Sequence, residues 1–200
     1  ISKRFLFVLI IKYFMATNNH AYKSYSMEYG TFIGLSWGVL FLCYVEGISY
    51  GNNLLVLLCL LFCAISFFLP FLLALRLNRK LLTIDENLSY IQGLLFSFSM
   101  FMYACLMNGF IVFAYFQFLD DGTLFEQLHN MIKMPELKAA YQQMGMDEQY
   151  SQMIAILKDV NQMSTFEKTL GIFNNNFVFG SIMSFVVAFF ASYNLKKLNK

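Results

Sequence analysis

Few residues in this 200-residue chain have the type and spacing that chemistry requires. Cys59 and Cys63 are four positions apart, which places both thiols on one face of a helix and could form a metal or redox pair. No His, Asp or Glu accompanies them in their apolar segment, and helical spacing does not fit the geometry of a disulfide. We therefore interpret all four cysteines, including Cys43 and Cys105, as small apolar packing residues, and we expect no metal site.

The remaining reactive side chains are too scattered to suggest an active site. His20 and His129 lie on opposite sides of the membrane in the arrangement derived below, so they cannot form one site. Adjacent carboxylates at Asp120 and Asp121 could serve a membrane enzyme, but such a pair is more typical of a solvated helix end. We expect no catalytic residue, no bound cofactor and a chain that is not an enzyme.

The composition is that of an integral membrane protein. Hydrophobic residues make up 58% and charged residues 13% of the chain, and the mean hydropathy is +0.57. Soluble domains contain roughly 45–50% apolar and about 25% charged residues, so a water-facing surface is excluded for most of this chain. The lipid bilayer is the expected environment, and no nucleic-acid partner is expected.

Apolar segments predict an all-α fold with four transmembrane helices, because about 20 apolar residues cross the bilayer as a helix. The predicted spans are 29–50, 54–75, 88–119 and 170–193. Pro70 predicts a local kink, and the long third span is expected to tilt, to project beyond the lipid, or to bend near Asn108 and Gly109. Transport of protons or metal ions would require ionisable side chains deep in the membrane. The other three spans have none in their central stretches, and Glu28 and Glu46 lie near the ends of the first span, so we expect no such relay.

The region outside the spans divides into a lead-in and a helical insertion. Residues 1–28 are expected to form a polar lead-in, of which 1–14 are either absent from the mature protein or an interfacial helix. Residues 29–197 form the membrane domain, and 120–168 are an outer segment of amphipathic helices. Thr123 and Glu126 predict a capping box, Pro135 the first turn of a second helix, and Gly145 its end.

The basic residues predict the orientation of the helices. Ten of the fourteen Lys and Arg residues fall on the side that holds both termini, which the positive-inside rule makes cytoplasmic. Segment 120–168 is then periplasmic in a bacterial inner membrane. The main topology anchors are Arg76, Arg79, Lys80, Lys196 and Lys197, of which the first three are expected directly after the second helix.

Small and polar residues inside the spans suggest two further sites. Gly30, Gly34 and Gly38 form a groove on one side of the first helix, which either packs within the bundle or binds a second chain. Asparagines could form a polar ligand site or bond across helix interfaces. The candidate polar residues are Asn108, Asn174, Asn175 and Asn176.

The order of these features resembles a known family. The features are Tyr29-Gly30 with Gly34, the basic cluster Arg76–Lys80, Ile91-Gln92-Gly93, Met144-Gly145-Met146 and the final Lys196-Lys197. Over residues 29–197 the chain is similar to the four-helix inner-membrane proteins of Bacteroidetes described as domain of unknown function 4199 (DUF4199). The resemblance implies an inner-membrane location and no established activity, and it supplies no catalytic residue.

Two functions remain open from the sequence. The first is a non-enzymatic bundle that binds itself or a membrane-protein partner, as the glycine groove and the Met-rich outer segment suggest. The second is a small oligomeric transporter or a lipid-handling protein, which Pro70 and the asparagines suggest.

Overall fold

The chain folds into seven helices within the residues that the computed structural model describes, 20–82 and 88–193. The four long helices are α1 (His20–Ser49), α2 (Asn53–Leu82), α3 (Tyr90–Phe118) and α7 (Thr165–Ser192). Three shorter helices, α4 (Thr123–Ile132), α5 (Pro135–Gln143) and α6 (Asp147–Gln162), form the insertion, residues 120–164. All four long helices are long and apolar enough to cross a membrane, so the predicted four-span all-α fold is confirmed.

The long helices form a closed bundle in which α3 makes the most extensive contacts. The extensive contacts are α1 with α3 and α3 with α7, while α2 contacts α1 and, less extensively, α7. The insertion lies at the end of the bundle where α1 and α3 end, because α4 packs against α1. We call this the insertion end, and the other the opposite end.

The first helix begins earlier than the sequence predicted. Residues 20–28 belong to α1, so the expected lead-in is helical from His20 onward. Tyr25 packs against Tyr29, and Tyr29 meets the ring of Phe96 edge-on with centroids 6.4 Å apart. These ring contacts hold the polar first turns against α3, which explains the longer helix. Residues 1–14 lie outside the described ranges.

The second helix also extends further than predicted. α2 continues without a break through Pro70 to Leu82, so the basic cluster 76–80 lies in its last turns rather than after it. Leu77 and Leu81 in these turns are buried in the core, which favours continuing the helix beyond the apolar span. Basic side chains near a helix C-terminus also interact favourably with the helix dipole.

Capping residues set several helix boundaries, but not at Thr123. Capping boxes are present at Ser89 with Gln92, before α3, and at Ser164 with Glu167, before α7. The capping box predicted for Thr123 is wrong, because Gly122 is the N-cap of α4 and its φ of 90° suits glycine. The predicted positions of Pro135 and Gly145 at the two ends of α5 are confirmed.

Candidate functional site

The glycines of α1 lie against α3 of the same chain. A Cβ atom on Gly34 would lie 2.6 Å from the carbonyl oxygen of Ala104, and one on Gly30 would overlap the carbonyl of Met100. Gly38 faces the same helix one turn further along. The two backbones therefore approach more closely than any side chain at these positions would permit. Since α3 fills the groove, a second chain could bind there only if α1 and α3 separated.

Two more glycines bring α7 onto another side of α3. A Cβ atom on Gly93 would lie 2.9 Å from the carbonyl oxygen of Ala188, and one on Gly180 would lie 2.9 Å from the Cβ of Phe101. Half of the most apolar stretch of α3 is consequently buried within the protein. The position of α3 between α1 and α7 thus depends on small residues on all three helices.

The attachment of α2 is much looser. The hydroxyls of Ser36 and Ser66 are hydrogen-bonded at 2.7 Å, which joins α2 to α1. At the opposite end, Asn78 Nδ2 donates to the carbonyl oxygens of Phe190 on α7 and of Tyr193 directly after it, at 3.1 and 2.6 Å. Only 11% of the most apolar stretch of α2 is buried, so lipid must surround most of this helix.

A cavity of about 640 Å³ lies between α1, α2, α3 and α7, in the half of the bundle nearer the insertion end. Its volume is typical of small-molecule sites, which span roughly 300–1,000 Å³. Leu60, Phe67 and Phe179 line it and are nevertheless 66%, 47% and 44% exposed. The cavity therefore opens sideways on the flank of the bundle, where the bilayer would surround the protein.

Two of the four candidate asparagines line this cavity, Asn108 from α3 and Asn176 from α7. Asn108 is only 2% exposed, and its Oδ1 is buried without a hydrogen-bond partner. A buried carbonyl oxygen without a donor costs about 1–3 kcal/mol. Asn174 and Asn175 are exposed and do not line the cavity. The structure thus brings together one pair of the predicted polar residues and leaves the other pair outside.

No charged side chain and no histidine is among the described residues that line the cavity. The lining is mostly aromatic and aliphatic, with hydroxyl, thiol and amide groups at a few positions. The ring of Trp37 lines it from α1 and stacks on Phe101 at a centroid distance of 6.1 Å. Such a surface suits an apolar molecule that carries a small uncharged polar group.

The family of the chain follows from its sequence. Residues 28–192 match the family described as protein of unknown function (DUF4199). The chain belongs to this family. No curated protein and no solved structure matches it. The resemblance inferred from the sequence is therefore confirmed, and the function of this DUF4199 protein has to be argued from its own residues.

The topology anchors of the DUF4199 protein lie at the opposite end. Arg76, Arg79 and Lys80 are exposed in the last turns of α2, and the ammonium of Lys80 lies 4.6 Å from the ring centroid of Tyr25. A cation over a tyrosine ring adds a modest attraction between α2 and α1. Lys196 and Lys197 lie outside the described residues.

The insertion packs onto the bundle through its first helix, α4. Leu124 and Phe125 of α4 are buried, and the ammonium of Lys168 lies 4.3 Å from the ring centroid of Phe125. α6 joins α4 through Tyr150, whose hydroxyl donates to the carbonyl of Ile132 at 3.1 Å. α5 has no buried residue. α6 likewise has no buried residue, but its Leu157 and Val160 pack, partly buried, against the apolar cluster that contains Leu124 and Phe125.

Asp120 and Asp121 act as backbone acceptors before α4. Asp120 Oδ1 accepts the N–H of Gly122, and Asp121 Oδ1 accepts the N–H of Thr123, both at 3.1 Å. The Thr123 hydroxyl and its N–H lower the pKa of Asp121, because both donate to the ionised carboxylate. These contacts give the pair a structural role at the start of the insertion.

The cysteines of the DUF4199 protein are all free. Cys59 and Cys63 both line the cavity, and Cys59 Sγ lies 4.0 Å from the carbonyl oxygen of Leu40 on α1. Within the described part of the chain, no cluster of three or more His, Cys, Asp or Glu residues could hold a metal ion.

Several residues of the cavity were not predicted from the sequence. Trp37, Ser66 and the two cysteines were not assigned to a ligand site, and Asn176 was grouped with two neighbours that point elsewhere. A usable signal was present, because the chain has a single Trp and Trp37 lies three residues after Gly34, on the same side of the helix as the glycines. Which helix would face it could not be deduced from α1 alone.

Proposed function

We propose that this DUF4199 protein is a non-enzymatic membrane protein that binds a lipid in the cavity between α1, α2, α3 and α7. The observation that carries the proposal is the sideways opening beside Leu60, Phe67 and Phe179. A molecule already dissolved in the bilayer could enter there without crossing water. The looser attachment of α2 supports this function, because small movements of α2 would widen the opening.

Trp37 provides a direct test, because it is the only Trp of the chain and it lines the cavity. The protein is reconstituted in phosphatidylcholine vesicles, and part of the lipid is replaced by phosphatidylcholine with bromine at mid-chain. Bromine quenches indole fluorescence on contact. A lipid chain in the cavity predicts strong quenching of the unmodified protein.

Two variants separate cavity occupancy from quenching by the surrounding bilayer. Cys63→Phe adds volume at a residue that lines the cavity, whereas Leu61→Phe adds a ring at an exposed position of α2 that does not. We expect Cys63→Phe to reduce quenching and Leu61→Phe to leave it unchanged. Equal quenching in all three proteins, or none in the unmodified protein, would contradict lipid binding in the cavity.

We further propose that the protein lies in a bacterial inner membrane with the insertion in the periplasm. The basic residues at the end of α2 support this orientation, since such residues favour the cytoplasmic side. In a background without native cysteines, Gln143→Cys in the insertion should react with an impermeant maleimide in intact spheroplasts. Ser24→Cys, exposed at the start of α1, should react only after lysis. The reverse pattern would invert the topology.

A further inference from the structure

We propose that the cavity takes an uncharged lipid that carries a hydroxyl group, and that Asn108 binds this hydroxyl. The inference rests on the lipid-binding function proposed above and specifies the chemistry of the ligand. It follows from three features of the site: the unpartnered Oδ1 of Asn108, the depth of Asn108 in the bilayer, and the uncharged lining.

The side chain of Asn108 needs a partner that can donate. Its Oδ1 is an acceptor without a donor, and its amide nitrogen is itself a donor. A hydroxyl group can donate to Oδ1 and accept from the amide nitrogen of Asn108. An ether or ester oxygen can only accept from the amide nitrogen. The amide can also rotate about its terminal torsion, so a hydroxyl that enters the cavity can meet either group.

The depth of Asn108 selects against a charged headgroup. Asn108 lies ten residues before Phe118, the last residue of α3, which corresponds to about 15 Å along the helix. The hydrocarbon core is about 30 Å thick and the 29 residues of α3 are longer than that, so Asn108 lies inside the core. A phosphate or carboxylate at this depth would require a nearby cation, and the described residues lining the cavity include no Lys, Arg or His.

The remaining lining fits the apolar part of such a lipid. Leu40, Phe41 and Ile172 provide aliphatic and aromatic surface between Asn108 and the insertion end, and Phe179 lies beside the opening. An apolar chain could therefore leave the cavity into the bilayer while the hydroxyl stays at Asn108. Asn176 lines the same cavity and offers a second amide to a polar group.

Quenching of Trp37 by three brominated probes tests this chemistry in vesicles of unbrominated phosphatidylcholine. The probes are a mid-chain brominated octadecanol, its methyl ether, and the corresponding brominated fatty acid at a pH where it is ionised. We expect the alcohol to reach half-maximal quenching at a mole fraction about fivefold below that of the ether, because it makes one more hydrogen bond. The ionised acid should quench no better than the ether.

Matched variants assign the difference to Asn108. Asn108→Leu has a similar volume but no polar group, and it should make the alcohol and the ether equivalent. Asn175→Leu, at an exposed position of α7 outside the cavity, should retain the preference for the alcohol. Quenching of Asn108→Leu by brominated phosphatidylcholine verifies that the cavity itself remains intact.

A brominated diacylglycerol with one free hydroxyl distinguishes two sources of the same chemistry. Quenching by this probe at the lower mole fraction would identify a two-chain glyceride, and quenching by octadecanol alone would identify a single-chain alcohol. The inference is overturned if the alcohol shows no preference over the ether, or if the preference survives in Asn108→Leu. If brominated phosphatidylcholine still enters the cavity in that case, lipid binding stands and only the hydroxyl assignment fails.

Discussion

α2 and α3 are both membrane-spanning helices of about the same length, yet the protein holds them in different ways. Half of the most apolar stretch of α3 is buried, against 11% for α2, although that stretch has the higher mean hydropathy in α2. Hydrophobicity does not drive helices together inside a bilayer, because lipid chains solvate apolar side chains equally well. Close backbone approach at glycines attaches α3, whereas α2 is attached by a few polar and aromatic contacts and by the buried leucines near its end.

This difference explains where the cavity forms. A helix that is held closely by its neighbours on two sides leaves little room beside it, whereas α2 joins α7 through Asn78 only at the opposite end. The space near the insertion end is consequently open between α2 and α7. We therefore expect variants at the α1–α3 interface to affect stability most, and variants around the cavity to affect ligand binding.

The largest expected effect is that of Gly34→Ala. The added methyl group would lie 2.6 Å from the carbonyl oxygen of Ala104, so the helices must separate. We expect a loss of about 1–3 kcal/mol in the free energy of unfolding, measured by denaturation in mixed micelles. Gly171→Ala is the control, because nothing lies within 4 Å of its Cβ position. It should leave stability unchanged or raise it by up to about 1 kcal/mol. Equal effects would show that α1 and α3 are not closely packed.

Asn78→Leu should have the next largest effect. It removes both hydrogen bonds from α2 to α7, and we expect a loss of about 1–2 kcal/mol in the same unfolding assay. Hydrogen exchange should increase in the last turns of α2 while exchange in α3 stays as before. An increase of similar size in α3 would mean that the two helices are not held independently. Asn175→Leu, at an exposed position, serves as the control.

Two buried polar groups of α3 provide an effect of opposite sign. Asn108 Oδ1 and Ser97 Oγ are both buried without a partner, and only Asn108 lines the cavity. In lipid-free detergent, Asn108→Leu and Ser97→Ala should each raise the free energy of unfolding by about 1 kcal/mol, since an unsatisfied group is removed. Only Asn108→Leu should abolish the preference for the brominated alcohol. If Ser97→Ala also lost the preference for the alcohol, that preference would not depend on the residues that line the cavity.

The smallest expected effect concerns pH and the start of the insertion. Hydrogen bonds from Thr123 lower the pKa of Asp121, so its contribution to stability is fully present above the ordinary Asp value of about 3.9. The contribution is lost as the pH falls through the lowered pKa of the folded state. Protection of the amides in the first turn of α4, corrected for their intrinsic exchange rates, should therefore fall at low pH. Asp121→Asn should remove this pH dependence, and its persistence would assign it to another group.

Local features of the sequence were enough to predict much of the fold. Uninterrupted apolar segments predicted the four spans, and amphipathic spacing with Pro135 and Gly145 predicted helices in the insertion. The errors lie at helix ends. Tertiary contacts of Tyr29 and Leu77 extend α1 and α2 beyond their apolar spans, and Gly122 replaces Thr123 as the N-cap of α4.

The candidate site was only partly predictable for a related reason. The sequence indicated Asn108 and the three consecutive asparagines at 174–176 as polar groups within spans, but it could not show which of them share a cavity. Asn108 and Asn176 come together because Gly93 and Gly180 bring α7 onto α3. That arrangement involves helices far apart in the chain.

The amino-acid sequence by itself determined that this chain enters a bilayer and where its spans lie. It also determined that the central stretches of the second, third and fourth spans contain no ionisable side chain. These properties depend on the transfer of each segment from water to lipid, which is a local quantity. The tertiary structure decided that α3 fills the glycine groove and that α2 leaves a cavity open to the membrane. Those outcomes depend on which helix faces meet, and in lipid that choice follows from shape and a few hydrogen bonds rather than from hydrophobicity.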